Sequence, residues 1–389
     1  MTIALRKRCV PLSGMRFSDI IGQKALKERL ASAISEGRIS HAQLFLGPEG
    51  SGALPIALGY AQYLLCIQPT GHDSCGACPS CIKAAKLVHP DIIFSFPIVT
   101  KEKVAKPLST DFIAVFREAV LNNPYLNYQD WMNALEAENK QGFIPVDESR
   151  SIIQRLSLKS VEGSFRVVLM WLPEKMRMET ANALLKILEE PEEKTVFLLV
   201  AENDETIPLT ILSRTQLVKV NRLTDDDVHR GLSMSPEVDT KVVKMVTHRA
   251  EGNYRLALQL LEEEDPDADD ASLFLEWMRA CLKLNITRIQ ELCDQLAGIG
   301  RERQKAFFEY SLSIVRECLL INYGDDKLVR IEGKEKDNFK RFAPFIHHGN
   351  AGRFIELLDE AHYHIERNAN YKIMFMDLSF KIFQLLNSK

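Results

Sequence analysis

Apolar positions along this chain change rhythm from segment to segment. Over residues 24–36, Leu26, Leu30, Ala33 and Ile34 fall at helical spacing and predict an amphipathic helix. Gln43 to Leu46 predicts a short strand running into a glycine-rich turn. Ala57 to Leu65 returns to helical spacing, with Pro55 in the first turn, where its missing N–H costs little. Ile92 to Ile98, Phe165 to Trp171 and Thr195 to Val200 are continuous apolar runs, the pattern of strands buried on both faces. Helices are predicted among them at Val146 to Leu158 and Thr180 to Glu189. Strands alternating with helices imply an α/β domain with a mostly parallel sheet, ending near residue 219. Residues 100–142 are polar, with helical stretches near 111–121 and 128–139, and read as an insertion.

Beyond Thr224 the spacing is helical throughout. Thr224 followed by Asp225, Asp226 and Asp227 is an N-cap with an acidic first turn. Helices over 224–232, 238–249 and 253–263 predict a small bundle. Residues 262–270, rich in acids and broken by Pro266, read as a linker. Helices are then expected near 272–284, 287–297, 302–322, 337–346, 351–368 and 370–386.

Composition narrows the class. The 389 residues fit two or three domains and are 46% hydrophobic and 26% charged, ordinary for a globular protein. A net charge of -4 supplies no global basic field, so any nucleic-acid contact is local. No apolar run approaches the ~18 residues of a membrane span. Residues 1–14 carry Arg6, Lys7 and Arg8 without an apolar stretch, which does not describe an export signal. They read as a disordered extension, or as a misassigned start with Met15 as the true one. The expected location is cytoplasmic, and disulfides are not expected there. Cys281, Cys293 and Cys318 lie in helical patterns and read as small buried residues.

Two motifs carry chemistry. Residues 47–54 read Gly-Pro-Glu-Gly-Ser-Gly-Ala-Leu: the G-x-x-x-x-G frame of a phosphate-binding loop, with Gly47, Gly50 and Gly52 in place. The lysine that would neutralise β- and γ-phosphates is replaced by Ala53, and the hydroxyl that would ligate Mg²⁺ by Leu54. Backbone N–H groups could still cradle a phosphate, but weak or absent ATP binding is expected, with Leu54 and Pro55 crowding the mouth. The second motif is Cys66, Cys75, Cys78 and Cys81, four thiols within sixteen residues, with Gly71, Gly76 and Pro79 to turn the chain. That set suits a closed tetrahedral structural Zn²⁺ site; an iron–sulfur cluster is the alternative. His72 and His89 flank it and are read as solvent or capping residues.

Several segments together resemble the bacterial clamp-loader ATPase subunits of DNA polymerase III, within the AAA+ family. These are Arg16 to Gln23, Gly37 to Pro48, the cysteine spacing with His89-Pro90-Asp91 after it, Asn182 to Pro191, Thr210-Ile211-Leu212-Ser213-Arg214, and Ile365 to Asn370. The resemblance spans most of 15–389 outside the insertion. It implies an AAA+ ATPase-like domain over 15–219 with a zinc module at 66–81 and an insertion at about 100–142. A helical lid over 220–265 and a helical collar for oligomerisation over 271–389 would follow.

Within the family, the missing lysine and hydroxyl are similar to the delta-prime branch rather than the gamma/tau motor. The strand Phe165 to Trp171 likewise runs into Leu172-Pro173 without the Mg²⁺-holding aspartate. The resemblance then implies a stator without intrinsic ATPase activity, a subunit of the polymerase holoenzyme. Its partners would be gamma/tau and delta subunits, the sliding clamp within the complex, and primed DNA through the assembly, with no membrane. It also implies that Arg214, beside Ser213, is an arginine finger reaching the γ-phosphate of ATP on the neighbouring subunit, with Thr215 where the family has cysteine. Arg255 resembles the lid's phosphate-sensing arginine and is expected to be structural here. Two alternatives stay open: an active gamma/tau-type ATPase, and a stand-alone zinc-dependent DNA-binding protein.

Overall fold

In the computed structural model, the described residues are 15–389 except 101–105, 138–139, 163–164, 235–237, 263–265, 300, 325–328, 330, 332, 367–369 and 388–389. The extension at 1–14, with Cys9, lies outside them, as do residues 367–369 of the last family-like segment. The chain divides into two compact units, Met1–Glu262 and Glu263–Lys389, each treated separately below.

The first unit is built on a parallel sheet. Helix α1 (Lys24–Ser35) precedes β1 (Ala42–Leu46), then come α2 (Ala53–Leu65), α3 (Pro79–Ala85) and β2 (Ile92–Ser95). Next are α4 (Ile113–Asn122), α5 (Tyr128–Ala134), α6 (Val146–Leu156), β3 (Arg166–Trp171), α7 (Met178–Glu189), β4 (Thr195–Ala201), α8 (Leu209–Leu212) and β5 (Gln216–Lys219). The strand order is β2-β3-β4-β1-β5, every pair parallel.

Side chains alternate across this sheet as the pleat requires. Phe94, Val167, Leu169, Val196, Leu198 and Phe45 enter a core shared with α1, α2, α4 and α5. Ile93, Val168, Met170, Phe197, Leu199 and Leu44 enter a second core shared with α6, α7 and α8. Burying each such side chain is worth roughly 1.5–3 kcal/mol, so helices cover both faces of an α/β parallel sheet. The apolar run after β2 leaves the sheet at Phe96. Ile98 instead forms a single bridge to Phe143.

The stretch read as a polar insertion contributes to the core. Phe116 and Trp131 are fully buried, and Phe116 stacks on Phe96 at 4.1 Å between ring centroids. The bundle predicted after Thr224 is α9 (Asp225–Ser233), α10 (Thr240–Ala250) and α11 (Tyr254–Glu262), packed around Val228, Leu232, Val246 and Ala257. Thr224 caps α9 by accepting from the Asp227 N–H at 3.1 Å.

The second unit is helical: α12 (Pro266–Leu282), α13 (Ile286–Gly298), α14 (Arg301–Tyr323), α15 (Gly333–Phe342), α16 (Ala351–Glu366) and α17 (Tyr371–Leu386). The acidic stretch expected to be a linker as far as residue 270 is helical from Pro266. Proline is tolerated at the first helical position. Trp277, Phe307, Phe308 and Phe375 form the aromatic centre of this unit, with Phe308 and Phe375 stacked at 5.3 Å. Cys281, Cys293 and Cys318 are buried, as their spacing predicted. No described helix is long and apolar enough to cross a membrane.

Candidate functional site

The glycine loop joins β1 to α2 as the sequence requires. Gly50 and Gly52 sit at φ 68° and 91°, conformations that favour glycine, and Gly52 is the N-cap residue of α2. Gly47 lies under β5, where an added Cβ would come 2.6 Å from the Val220 carbonyl. Ala53 and Leu54 face inward, 8% and 4% exposed, and belong to the core. Pro55 beside them is buried as well. The space above the loop is taken by residues from the insertion and the bundle.

Tyr125, 4% exposed, lies over Gly52, with its ring edge 3.2 Å from where a Cβ would stand there. Its hydroxyl accepts from the Ile21 N–H at 3.1 Å, and its ring meets Tyr254 edge-on at 4.8 Å. Glu49, inside the loop, accepts from Asn127 Nδ2 at 2.9 Å and Asn253 Nδ2 at 3.3 Å. Arg255 donates Nε and Nη2 to the two Asp130 oxygens at 3.0 and 2.8 Å and lies 3.7 Å from Glu49. The Tyr254 N–H donates to the Gly50 carbonyl at 3.1 Å. Arg255 thus has a structural ion pair, as expected, but its partner in the insertion was invisible in the sequence.

The far side of the loop is acidic. At the end of β3, Leu172 takes φ 57°, and Glu174 follows where no aspartate stands. Glu174 Oε1 accepts from the Glu202 N–H at 3.0 Å, and burial holds its carboxyl above the ordinary range. Burial, then the charges of Glu49 and Glu174, push the Glu202 carboxyl up to about 8. Three acids, Glu49, Glu174 and Glu202, thus influence one another on this side of the loop, with Lys175 the cation that acts on Glu174 and Glu202. Glu174 and Glu202 were not found from the sequence, because no motif marks them.

The four cysteines converge. One sulfur from each of Cys66, Cys75, Cys78 and Cys81 lies within 4.8 Å of the others, so they could hold a metal ion. Cys66 ends α2, and Cys78 caps α3. Backbone N–H groups aim at the sulfurs: Cys75 to Cys66 at 3.3 Å, Cys78 to Cys75 at 3.3 Å, and Cys81 to Cys78 at 3.4 Å. N–H groups of Ala77 and Cys78 hold the Cys75 thiol down at about 6, while burial pushes Cys66 and Cys81 up. Four sulfurs with N–H support fit a closed, metal-bound thiolate set. His72 is exposed, as expected. His89 is instead buried: it bonds Ser80 at 2.9 Å, lies 3.2 Å from Glu162 and accepts the Asp91 N–H at 3.1 Å, away from the cluster. Asp73, inside the cysteine loop, accepts from the Phe17 and Ser18 N–H groups at 3.1 and 2.9 Å.

Arg214 follows α8 and precedes the edge strand β5, with its side chain 32% exposed. Nε and Nη2 point at Glu189 Oε1, the former at 2.6 Å. Nη1 donates to the Thr210 carbonyl at 2.9 Å and to Ser213 Oγ at 3.2 Å. Ser213 Oγ in turn donates to the Thr210 carbonyl. The guanidinium is folded onto its own helix turn and must swing outward to meet a ligand elsewhere. Glu189 and Glu190 end α7, as the sequence suggested, and Glu189 carries the contact to Arg214.

Residues 22–224, just over half the chain, match the family described as DNA polymerase III, delta subunit. The subunit gamma of Buchnera aphidicola is 28% identical over 63% of this chain and 58% of its own length. The subunit tau of Escherichia coli is 24% identical over 75% of this chain and 42% of its own. The chain thus spans about half the length of such relatives. A gamma subunit-related protein from Thermotoga maritima overlays 93% of this chain and all of its own, at 16% identity and a TM-score of 0.37. The chain belongs to the DNA polymerase III delta-subunit family of clamp-loader proteins.

Proposed function

We propose that this chain is the delta-prime type of clamp-loader subunit, a stator that hydrolyses no ATP and lends Arg214 to a neighbouring ATPase subunit. The observation that carries this reading is a mismatch of charge. The chain's own glycine loop carries Glu49 and no lysine, while Arg214 in Leu212-Ser213-Arg214 lies part-exposed. A guanidinium suits two-pronged contact with a γ-phosphate and stabilises its developing charge. Leu209 and Leu217, 81% and 56% exposed on either side of Arg214 in sequence, suit an apolar subunit contact.

On this reading residues 15–219 are the AAA+ ATPase-like domain, 220–265 the lid and 271–389 the collar that joins the ring. Zn²⁺ at the four cysteines is structural. The partners are gamma/tau and delta subunits, the sliding clamp within the complex, and primed DNA through the assembly. The second reading, a gamma/tau-type motor, is favoured by the names of the relatives, but it needs a lysine and an aspartate that this chain lacks.

The test is reconstitution with gamma/tau and delta partners. Arg214→Ala is expected to lower DNA-stimulated ATP hydrolysis by about tenfold or more, since such fingers supply about 10³–10⁵ in related NTPases. An unchanged rate removes the finger. Hydrolysis by the isolated chain that a loop substitution abolishes establishes the motor instead.

A further inference from the structure

We propose that the segment Tyr125–Asp130 is an internal ligand of the vacated nucleotide cleft, clamping the helical bundle α9–α11 onto the glycine loop without any nucleotide. Three parts of this unit border the cleft: the glycine loop, the chain just before α1, and the first turn of α11. Here one short segment touches all three. Tyr125 covers Gly52 of the loop, binds the Ile21 N–H and packs on Tyr254 of α11. Asn127 reaches the loop through Glu49, and Asp130 takes Arg255 of α11 in a two-pronged pair.

The substitution works chemically as well as sterically. Arg255, a cation at the mouth of this cleft, meets the Asp130 carboxylate, the kind of anionic partner a phosphate would otherwise be. An aromatic ring beside Tyr254 supplies a flat apolar surface of the sort a base would offer. The segment is locked from its own side too: Asn127 caps α5 by accepting from the Asp130 N–H at 2.8 Å, and Asp130 accepts the Asn127 N–H at 3.1 Å. That reciprocal cap fixes both polar side chains before they meet their partners. Tyr125 belongs to the same apolar cluster as Leu223, Val228 and Ala257 of the bundle. The loop's missing lysine follows naturally, since an ammonium would have no phosphate to meet.

Amide hydrogen exchange on the full chain tests this without partner subunits, and it is independent of the Arg214 reading. In the unsubstituted protein, amides of 50–58 and 254–262 are expected to be protected without nucleotide and unchanged by millimolar Mg-ADP. Asp130→Ala is expected to speed exchange over 254–262 about tenfold, with α13 and α14 unaffected, and Tyr125→Ala to do the same. The double change Asp130→Arg with Arg255→Asp is expected to restore part of the protection. If Asp130→Ala fails to fold, Asp130→Asn is read by the same criterion. Unchanged exchange in folded single variants overturns the proposal, as does protection of 50–58 by Mg-ADP in the unsubstituted chain.

Discussion

A carboxyl group pressed between two others keeps its proton longer, and Glu202 is in that position. In the folded chain its carboxyl titrates at about 8, against 4.5 for a free glutamate, because of burial and then the charges of Glu49 and Glu174. The sign follows from proton binding. Between about 4.5 and 8 the folded chain holds this proton and the unfolded chain has released it. Stability from this group is therefore greatest at low pH and falls as pH rises through that window. Glu202→Gln is expected to flatten the fall. In thermal unfolding from pH 5 to pH 8, the variant's midpoint should gain on the unsubstituted chain as pH increases; a constant difference across that range would sink the assignment. Glu202 also marks the limit of reading residues from sequence. Ala53 and Leu54 announce themselves by standing where lysine and a hydroxyl belong in a spaced motif. Glu202 matters only because β3 and β4 bring Glu174 beside it, and no local pattern encodes that.

Elements were legible where their side chains repeat and illegible where they do not. The buried strands β3 and β4 are nearly continuous apolar runs. Strand β5 reads Gln-Leu-Val-Lys with only Val218 buried, the signature of an edge rather than a core strand, and no apolar run betrays it. Helix α3 is seven residues long and set by its cysteine cap, so periodicity has too few turns to register. The insertion looked polar because its buried aromatics, Phe116 and Trp131, are spread among charged residues. The cysteine loop is the element whose convergence of four sulfurs the spacing did reveal, and the Zn²⁺ proposed for it is tested by its removal. Purified chain is expected to carry about one Zn²⁺. Chelation should then loosen α3 and also residues 16–20, because Asp73 in the loop holds the Phe17 and Ser18 N–H groups. Faster exchange in both segments, with β3 and β4 still protected, is the expected result. Metal content well below one equivalent, with four free thiols, refutes the site.

At the scale of the whole molecule, the chain has two separate sets of cores. Among the described residues, the sheet and its helices are packed around three clusters drawn from residues before 262, and α12–α17 around one drawn from residues after 270. Damage to one should therefore stay there, because substitutions without shared partners act independently. Phe308 is the sharpest probe. It is fully buried, stacks on Phe375 and meets Trp277 and Phe307 edge-on, so its removal leaves a cavity bounded by rigid rings. Phe308→Ala is expected to cost about 3–5 kcal/mol. Exchange should quicken throughout α13, α14 and α17, while β3, β4 and the clamped segment at 254–262 keep their protection. If the sheet amides quicken to the same extent, the two units unfold as one cooperative body. Fold reading from periodicity, which treats each run of helices or strands alone, would then have missed a coupling carried by contacts no local pattern records.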